Sequence, residues 1–495
     1  MPEAGPGAGD QDLPASVARV PGRGRRRSFT LTAPRRAADV AYSCALGLVA
    51  LLPRLFVAIA WAREPVWDGH YYHLGASRIA AGLGYSEDVL IRGVSVWKPW
   101  THYPVGYSAI LGFFYKIFGD HLLVAPLLSA ALGALSAVLA HRIALPYLGA
   151  TRARIAGGLV ALHPGLIAYS ALVMTEIPSA FLLLLLMWIL LRFRGQWRAV
   201  VFGGLVLGLL TLTRPASLLL FPLIALSEPR PLLHAVTRSA ALLAVTLAVV
   251  LPWTARNCAR MDGCALVSTN GGWNLAIGAI TETGRFQTLR GKDGCPNVTG
   301  QVQQDDCWGK VGWKKIQESP GRWLSVAPKK LAQTFDHESF AVEYVHEADP
   351  EAWPESRRAA ARGLLTAAHL ALLVVAAMAI VARPLRRLRE RERYWQAALL
   401  VLLCGLAFYG LADEQHPLHW LVVAAPLVAF LPLPGRPYLG SVGRMAMATV
   451  LATAATHVVF FGEDRYHLFL SPIFCILAAA ALRASERVAR PPAQG

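Results

Sequence analysis

Long apolar runs separated by short charged connections dominate the chain. The first run extends from Val40 to about Ala62, close to the roughly 20 residues that a helix needs to cross a bilayer. Similar runs recur to the end of the chain, and we expect about twelve spans. The further predicted spans cover residues 121–147, 155–172, 177–193, 199–213, 215–227, 238–253, 361–382, 395–412, 417–433, 445–461 and 466–483. The pattern predicts an all-α polytopic membrane protein.

Composition supports this fold class. The chain has 495 residues, of which 55% are hydrophobic and 16% charged, and its mean hydropathy is +0.42. A soluble protein of this length would need more charge on its surface. The net charge of +17 would suggest nucleic acid in a soluble chain. Here the basic residues lie in short connections between spans, so they indicate topology, and we expect no nucleic-acid partner.

The distribution of Lys and Arg predicts the orientation in the membrane. Residues 1–38 are rich in Gly, Pro and Arg without apolar periodicity, which is typical of a disordered basic arm. By the positive-inside rule this arm is cytoplasmic, and further Arg clusters then fall in cytoplasmic connections. The arm is expected to precede a transmembrane module at 39–253, an outer loop at 254–362, carboxyl-terminal transmembrane helices at 363–485 and a cytoplasmic tail at 486–495. High Ala, Arg and Gly content indicates a GC-rich bacterial genome, and we expect a location in the bacterial inner membrane.

Two outer segments carry most of the polar chemistry. We name residues 63–120 the first loop and residues 254–362 the long loop. The first loop is expected to contain interfacial helices, as is the part of the long loop from Lys314 to Thr334. The long loop also holds Cys258, Cys264, Cys295 and Cys307. In an oxidising compartment these cysteines could form one or two disulfides, with free thiols as the alternative; the sequence does not give the pairing.

The first loop contains an acid, several aromatic residues and cations suited to displacement chemistry. Asp68 could act as a base toward a hydroxyl, and cations could stabilise a departing phosphate, where negative charge develops. The topology places five cations on the same face: Arg92, Lys98, Arg214, Arg256 and Arg465. Asp68 could alternatively cap a helix, Arg214 and Arg465 could pair or snorkel at span ends, and Lys98 could anchor at the interface.

Several motifs in order resemble a known family. The motifs are Asp-Gly-His-Tyr-Tyr at 68–72, His-Tyr-Pro-Val-Gly-Tyr at 102–107, Leu-Thr-Arg-Pro at 212–215, Pro-Trp-Thr-Ala-Arg-Asn at 252–257, Ser-Thr-Asn-Gly-Gly at 268–272 and Arg-Tyr-His-Leu at 465–468. Together they resemble the GT-C glycosyltransferases, in the family 39 branch of dolichyl-phosphate-mannose protein mannosyltransferases. That branch includes the aminoarabinose lipid A transferase and the rhizobial lipopolysaccharide sugar transferases. The resemblance covers residues from about 40 to 485.

The resemblance implies an inverting transfer of a hexosyl or pentosyl group from a polyprenyl-phosphate carrier. The acceptor would be a glycan, lipid or protein hydroxyl on the outer membrane face. The family's base falls on Asp68, although relatives often carry two adjacent acids where this chain has Gly69 next. The aminoarabinose transferase has Glu-Lys-Pro-Pro where this chain has His-Tyr-Pro-Val at 102–105, so its phosphate-binding lysine has no counterpart in place. Lys98 could replace it.

The expected substrate-binding set is drawn from all the outer segments. It comprises Tyr71, Tyr72, Arg92, Lys98, His102, Tyr103, Glu176, Arg214, Arg256, Asn257, Arg465 and Tyr466. We assign no metal ligands, because histidines such as His70, His73 and His102 in an aromatic loop are more often polar fillers; a divalent metal cofactor is left open. The alternative function is a lipid or glycan transporter or flippase, which would more often place charges in mid-span and show two similar halves.

Overall fold

The computed structural model describes residues 33–227, 231–381, 389–431 and 440–482. Most of the predicted basic arm, the Arg-rich connection at 383–388, Arg436 and the predicted carboxyl-terminal tail lie outside the described residues. Within them helices dominate, and six are long and apolar enough to cross a membrane. The predicted class of an all-α polytopic protein is confirmed, and the chain is an integral membrane protein.

The amino-terminal elements build the first loop between two long helices. They are α1 (Ala33–Ala60), α2 (Trp67–Ala80), β1 (Ser86–Ile91), β2 (Val94–Pro99), α3 (Val105–Phe118) and α4 (Val124–Leu148). Helices α2 and α3 are the helices expected in this loop, and they pack against each other. The antiparallel hairpin β1–β2 was not predicted. Its turn is Arg92-Gly93, and both residues have positive φ (52° and 81°), as a tight two-residue hairpin turn requires.

The middle of the chain contains helices that differ from the predicted spans. They are α5 (Ala150–Leu162), α6 (Pro164–Ala168), α7 (Glu176–Arg192), α8 (Trp197–Thr213), α9 (Leu223–Ser227) and α10 (Leu232–Arg260). The run at 155–172 is broken at His163, which is extended before Pro164. The run at 215–227 forms a 3-10 helix at Pro215–Leu220 and continues, after Pro222, as the short α9. Proline therefore divides two runs that hydropathy alone reads as spans.

The long loop is helical and contains both disulfides. Its helices are α11 (Gly271–Ile280), α12 (Gln301–Glu318), α13 (Pro320–Ser325), α14 (Ala327–Phe335) and α15 (Phe340–Ala348). The structure pairs Cys258 with Cys264 and Cys295 with Cys307. The first pair joins the last turn of α10 to the segment that follows this helix, and the second joins the segment before α12 to that helix.

The carboxyl-terminal elements complete the membrane bundle. They are α16 (Glu355–Ala377), α17 (Glu390–Ala412), α18 (His419–Phe430), α19 (Gly440–Val459), α20 (Arg465–Leu468) and α21 (Ser471–Ala481). Four of the apolar helices, α3, α8, α18 and α21, are shorter than the six long ones. Helix α21 packs against α4, α5 and α16, so the last helix lies next to the first helices of the bundle.

The charged side chain of Arg54 is buried within the first span. Arg54 of α1 is 0% exposed. Its guanidinium donates to the carbonyl oxygens of Ala50 (2.8 Å), Val160 (2.8 Å) and Ala161 (2.7 Å). The last two carbonyls belong to the final turn of α5, which has no further helical donors. Arg54 therefore satisfies a helix end in an apolar setting.

A glycine contact between helices gives a test of the packing. At Gly106 of α3, a Cβ would lie 2.5 Å from the backbone of Leu212 and of Thr213 in α8. We expect Gly106→Ala to destabilise the protein by about 1–3 kcal/mol because the core cannot accommodate the methyl group. Gly158→Ala is the matched control, since no atom lies within 4 Å of its Cβ and alanine favours a helix by up to about 1 kcal/mol. Melting temperatures in detergent that fall equally for both variants would contradict this packing.

Candidate active site

Asp68 lies in the first turn of α2 and contacts residues from both ends of the chain. Its Oδ1 accepts a hydrogen bond from the Tyr103 hydroxyl at 2.6 Å. Its Oδ2 lies 2.5 Å from Nη1 of Arg465. The Nε of Arg465 also pairs with Glu463. We name Asp68, Tyr103, Glu463, Arg465 and Tyr466 the Asp68 cluster.

The position of Asp68 depends on tight packing of α2. Gly69 has no room for a side chain, because a Cβ there would overlap the Tyr344 hydroxyl and lie 2.9 Å from the Val173 carbonyl oxygen. A glycine next to the acid therefore allows α2 to approach the long loop closely. A side chain of any kind, a second acid included, would therefore clash at this position.

The electrostatics of the Asp68 cluster follow from burial and from charge sharing. Burial raises the pKa of Glu463 to about 7, an increase that the Asp68 carboxylate adds to and Arg465 opposes. Burial alone would lower the pKa of Arg465, but Asp68 and Glu463 raise it well above its ordinary value. Burial raises the pKa of the Tyr103 hydroxyl, and the negative charge of Asp68 raises it further. Near neutral pH the guanidinium is charged and the Tyr103 hydroxyl keeps its proton.

A second ion pair lies beside the cluster. Nη2 of Arg214, at the end of α8, is 3.5 Å from Oε1 of Glu176, at the start of α7. The Arg214 guanidinium lies over the rings of Phe469 (4.6 Å) and Tyr466 (5.7 Å). Arg465 also lies over the Tyr466 ring, at 5.0 Å. Two guanidiniums therefore share one aromatic ring, and Nη1 of Arg214 has no hydrogen-bond partner among the described residues.

Aromatic residues of the first loop form one side of the site. Tyr71 stacks on Trp100 (5.6 Å) and on Tyr103 (5.3 Å), and it is 42% exposed. Tyr72 is buried and packs edge-on against Tyr103. His102 contacts the rings of Tyr103 and Trp273. Burial lowers the pKa of His102, so its ring is neutral near pH 7.

Three of the five expected cations have other positions. The Arg256 guanidinium donates to the carbonyl oxygens of Tyr85 (2.5 Å) and Trp100 (3.1 Å), and Asn257 is fully buried and donates to Ala265 at 2.9 Å. Lys98 lies on β2 opposite Glu87, and Arg92 is in the hairpin turn. The structure brings together Arg214 and Arg465 and not the full set of five.

Some residues of the site were not in the predicted set. Glu463 lies two residues before the Arg-Tyr-His-Leu motif, so its proximity to Arg465 was a usable signal. Phe340 and Tyr344 come from α15; Phe340 lies under the Arg465 guanidinium at 4.9 Å, and the Tyr344 hydroxyl accepts from the Val66 amide at 3.3 Å. Nothing in the local sequence of α15 indicates either contact.

The histidines of the first loop do not form a metal site in the described structure. His73 Nδ1 is 2.7 Å from the Tyr115 hydroxyl, while His70 packs against Tyr71. The described residues contain one group of three closely spaced metal-binding side chains, and it lies elsewhere, at Glu338, His369 and His467.

Comparison with known proteins agrees with the motifs. Residues 102–255 match the family model described as dolichyl-phosphate-mannose-protein mannosyltransferase. This segment includes Tyr103, Glu176 and Arg214 of the site. The predicted resemblance to GT-C glycosyltransferases is confirmed at the level of this match, which supports glycosyltransferase chemistry. No curated protein sequence matches the chain significantly.

Solved structures show distant resemblances. The archaeal oligosaccharyltransferase AglB from Archaeoglobus fulgidus, in complex with an inhibitory peptide and a dolichol-phosphate, is 15% identical, with 91% of this chain and 50% of that chain covered at a TM-score of 0.42. ArnT from Cupriavidus metallidurans bound to undecaprenyl phosphate is 14% identical, with 91% and 78% covered at a TM-score of 0.33. The chain spans about half the length of the archaeal enzyme.

The raised pKa of Glu463 predicts how the stability of the protein depends on pH. The folded protein holds the pKa of Glu463 at about 7, above its ordinary value of 4.5. Because this pKa is raised, Glu463 contributes stability that is fully present below pH 4.5. That contribution is lost as the pH rises through about 7. We therefore expect the wild type to lose more stability than Glu463→Gln between pH 5 and about pH 8. Melting curves measured across this range check it, and parallel pH dependences would contradict the buried-carboxyl assignment.

Proposed function

We propose that the protein is an inverting glycosyltransferase that uses a polyprenyl-phosphate-linked sugar at the outer face of the membrane. The acceptor is a hydroxyl of a glycan, lipid or protein. The observation that carries the proposal is the arrangement of one carboxylate, Asp68, and two guanidiniums, Arg214 and Arg465. These side chains meet where the first loop approaches the end of α8 and the start of α20. The side chains of Asp68, Arg465 and Arg214 are 20%, 13% and 15% exposed, so all three can reach a ligand.

Asp68 is the base in this proposal. The acceptor oxygen attacks the anomeric carbon of the donor sugar while the bond from that carbon to the phosphate oxygen breaks. The acceptor proton passes to Asp68, and the configuration at the anomeric carbon inverts. The hydrogen bond from Tyr103 fixes the orientation of the carboxylate, which leaves lone pairs for an acceptor hydroxyl.

Arg214 and Arg465 bind the phosphate of the donor. Negative charge develops on that phosphate as the sugar departs, and a guanidinium stabilises it with a fixed, planar set of donors. Arg214 has an Nη1 without a partner in the described structure. Arg465 is positioned by two carboxylates before any ligand arrives, so little reorganisation is required at the moment of reaction.

The aromatic side chains contact the sugar in this proposal. Tyr71 exposes part of its ring beside Asp68, and it is held by stacking on Trp100 and Tyr103. Such rings bind the apolar face of a substrate, while a few polar groups set its orientation. His102, neutral and half-buried, lies behind this aromatic surface and positions Tyr103.

The main test compares Asp68→Asn with the wild type in lipid. Transfer from radiolabelled polyprenyl-phosphate sugars should fall by about two to four powers of ten, because the amide cannot accept the acceptor proton. Asp306→Asn is the matched control, since Asp306 is an exposed acid of the long loop, and it should retain full activity.

The outcomes separate three explanations. Normal transfer by a folded Asp68→Asn variant would place the base elsewhere. Movement of the labelled lipid across vesicles by the wild type, with its sugar bond intact, would favour the transporter. Loss of activity in the Asp306 control as well would indicate a general effect of removing acids.

A further inference from the structure

A buried cluster of metal-binding side chains lies apart from the Asp68 cluster. Glu338 lies between α14 and α15, His369 is on α16, and His467 is on α20. Their exposed fractions are 2%, 0% and 0%. One ligand atom from each lies within 4.8 Å of the others. Three elements far apart in sequence thus place two imidazoles and a carboxylate together.

Hydrogen bonds to the backbone fix the tautomers of both rings. Nε2 of His369 is 2.9 Å from the Phe335 carbonyl oxygen, and Nδ1 of His467 is 2.7 Å from the Thr334 carbonyl oxygen. A carbonyl only accepts, so each of these nitrogens carries a proton. In neutral rings the lone pairs are then on Nδ1 of His369 and Nε2 of His467. Metal-binding histidines are oriented in this way, with the second nitrogen donating to a backbone carbonyl.

The lone pairs face groups that cannot satisfy them. Nε2 of His467 lies 3.5 Å from Oε2 of Glu338, and a lone pair opposite a carboxylate oxygen is repulsive unless a cation lies between them. Nδ1 of His369 and Oε1 of Glu338 have no hydrogen-bond partner among the described residues. Orphaned polar atoms buried this deeply are costly unless something binds them.

The surrounding structure holds the carboxylate in place. Thr366 of α16 accepts a hydrogen bond from the Glu338 amide at 3.1 Å. A Cβ at Gly165 would overlap Oε1 of Glu338, so α6 closes the cluster on that side. The rings of His369 and His467 stack with centroids 3.8 Å apart. The first two contacts hold the carboxylate in place, whereas one of the stacked rings must turn before both lone pairs can reach one ion.

We propose that Glu338, His369 and His467 bind a divalent transition metal, for which Zn²⁺ is the best fit. Two imidazoles and one carboxylate are an established zinc ligand set, with metal–ligand distances of about 2.0–2.2 Å. A tetrahedral site with those distances has edges of about 3.4 Å, and the separation of His467 Nε2 from Glu338 Oε2 is 3.5 Å. Ligand atoms of the three residues already lie within 4.8 Å of one another, and turning one ring out of the stack would direct its lone pair at the same ion.

The metal connects α16 of the bundle to the short helix α20. His467 is two residues from Arg465, on the same short helix, and Asp464 before it accepts hydrogen bonds from Ser339 Oγ (3.0 Å) and from the Phe340 amide (2.8 Å). A helix of four residues has little stability alone. Bound metal would fix α20 against α16 and so hold Arg465 toward Asp68. This inference concerns structure and does not require the proposed transfer reaction.

A proton is the competing occupant. A protonated His467 could pair with Glu338, but 3.5 Å exceeds the roughly 2.7–2.9 Å of a charge-assisted hydrogen bond. It would also leave Nδ1 of His369 without a partner. The geometry therefore favours an ion that contacts all three groups.

The test is the metal content of the full chain. Protein purified through a tag without histidines should contain about one zinc per chain by mass spectrometry. Glu338→Gln and His369→Gln should reduce zinc at a fixed low concentration by about tenfold or more. His141→Gln is the matched control, because His141 is also a buried histidine whose ring nitrogens have no hydrogen-bond partner in the described structure, and this variant should keep its zinc.

Each outcome decides the proposal. Wild-type protein that neither contains zinc nor takes up added Zn²⁺ or Co²⁺ would overturn it, as would zinc retained equally by both site variants. If the variants do not fold, X-ray absorption at the zinc edge of the wild type still decides, because imidazole and carboxylate ligands are expected and sulfur ligands would exclude this site.

Discussion

The guanidinium of Arg465 is the interaction on which the arrangement of the site depends. It lies 397 positions from Asp68 in the sequence and pairs with it across the folded chain. A charge removed from water is tolerated when it is paired and hydrogen-bonded. Since both Asp68 and Glu463 pair with it, the end of the last connection must lie against the first helix of the first loop. The two ends of the bundle are thereby joined at one point.

Polar contacts also determine how the connecting segments pack on the apolar bundle. Asp464 accepts hydrogen bonds at the start of α15, and Arg214 pairs with the buried Glu176. Segments that the charge pattern predicted on one side of the membrane therefore meet in one place. A set of charges held in this way before a ligand arrives is suited to stabilising charge that develops during a reaction.

Arg256 and Arg214 show why residue type and topology do not fix where a cation lies in the fold. Arg256 lies near the end of α10 and Arg214 directly follows α8, and both lie in family-like motifs. Arg256 donates to backbone carbonyls of the hairpin region, whereas Arg214 faces an aromatic ring shared with Arg465. The same holds for histidine: those of the first loop contact aromatic residues, and the buried cluster with Glu338 contains two histidines that the sequence did not single out.

The sequence by itself determined the membrane-protein class, the helical character, the segments that carry the chemistry, and Asp68 as the candidate base. These follow from hydropathy, charge distribution and motifs, which are local properties of the chain. Tertiary structure decided which prolines divide apolar runs, how the cysteines pair, and which cations approach Asp68. It alone placed Glu338, His369 and His467 together. Several of these contacts join residues far apart in the sequence, such as Asp68 and Arg465 at a separation of 397 positions. Their geometry depends on how the helices pack, which no local pattern encodes.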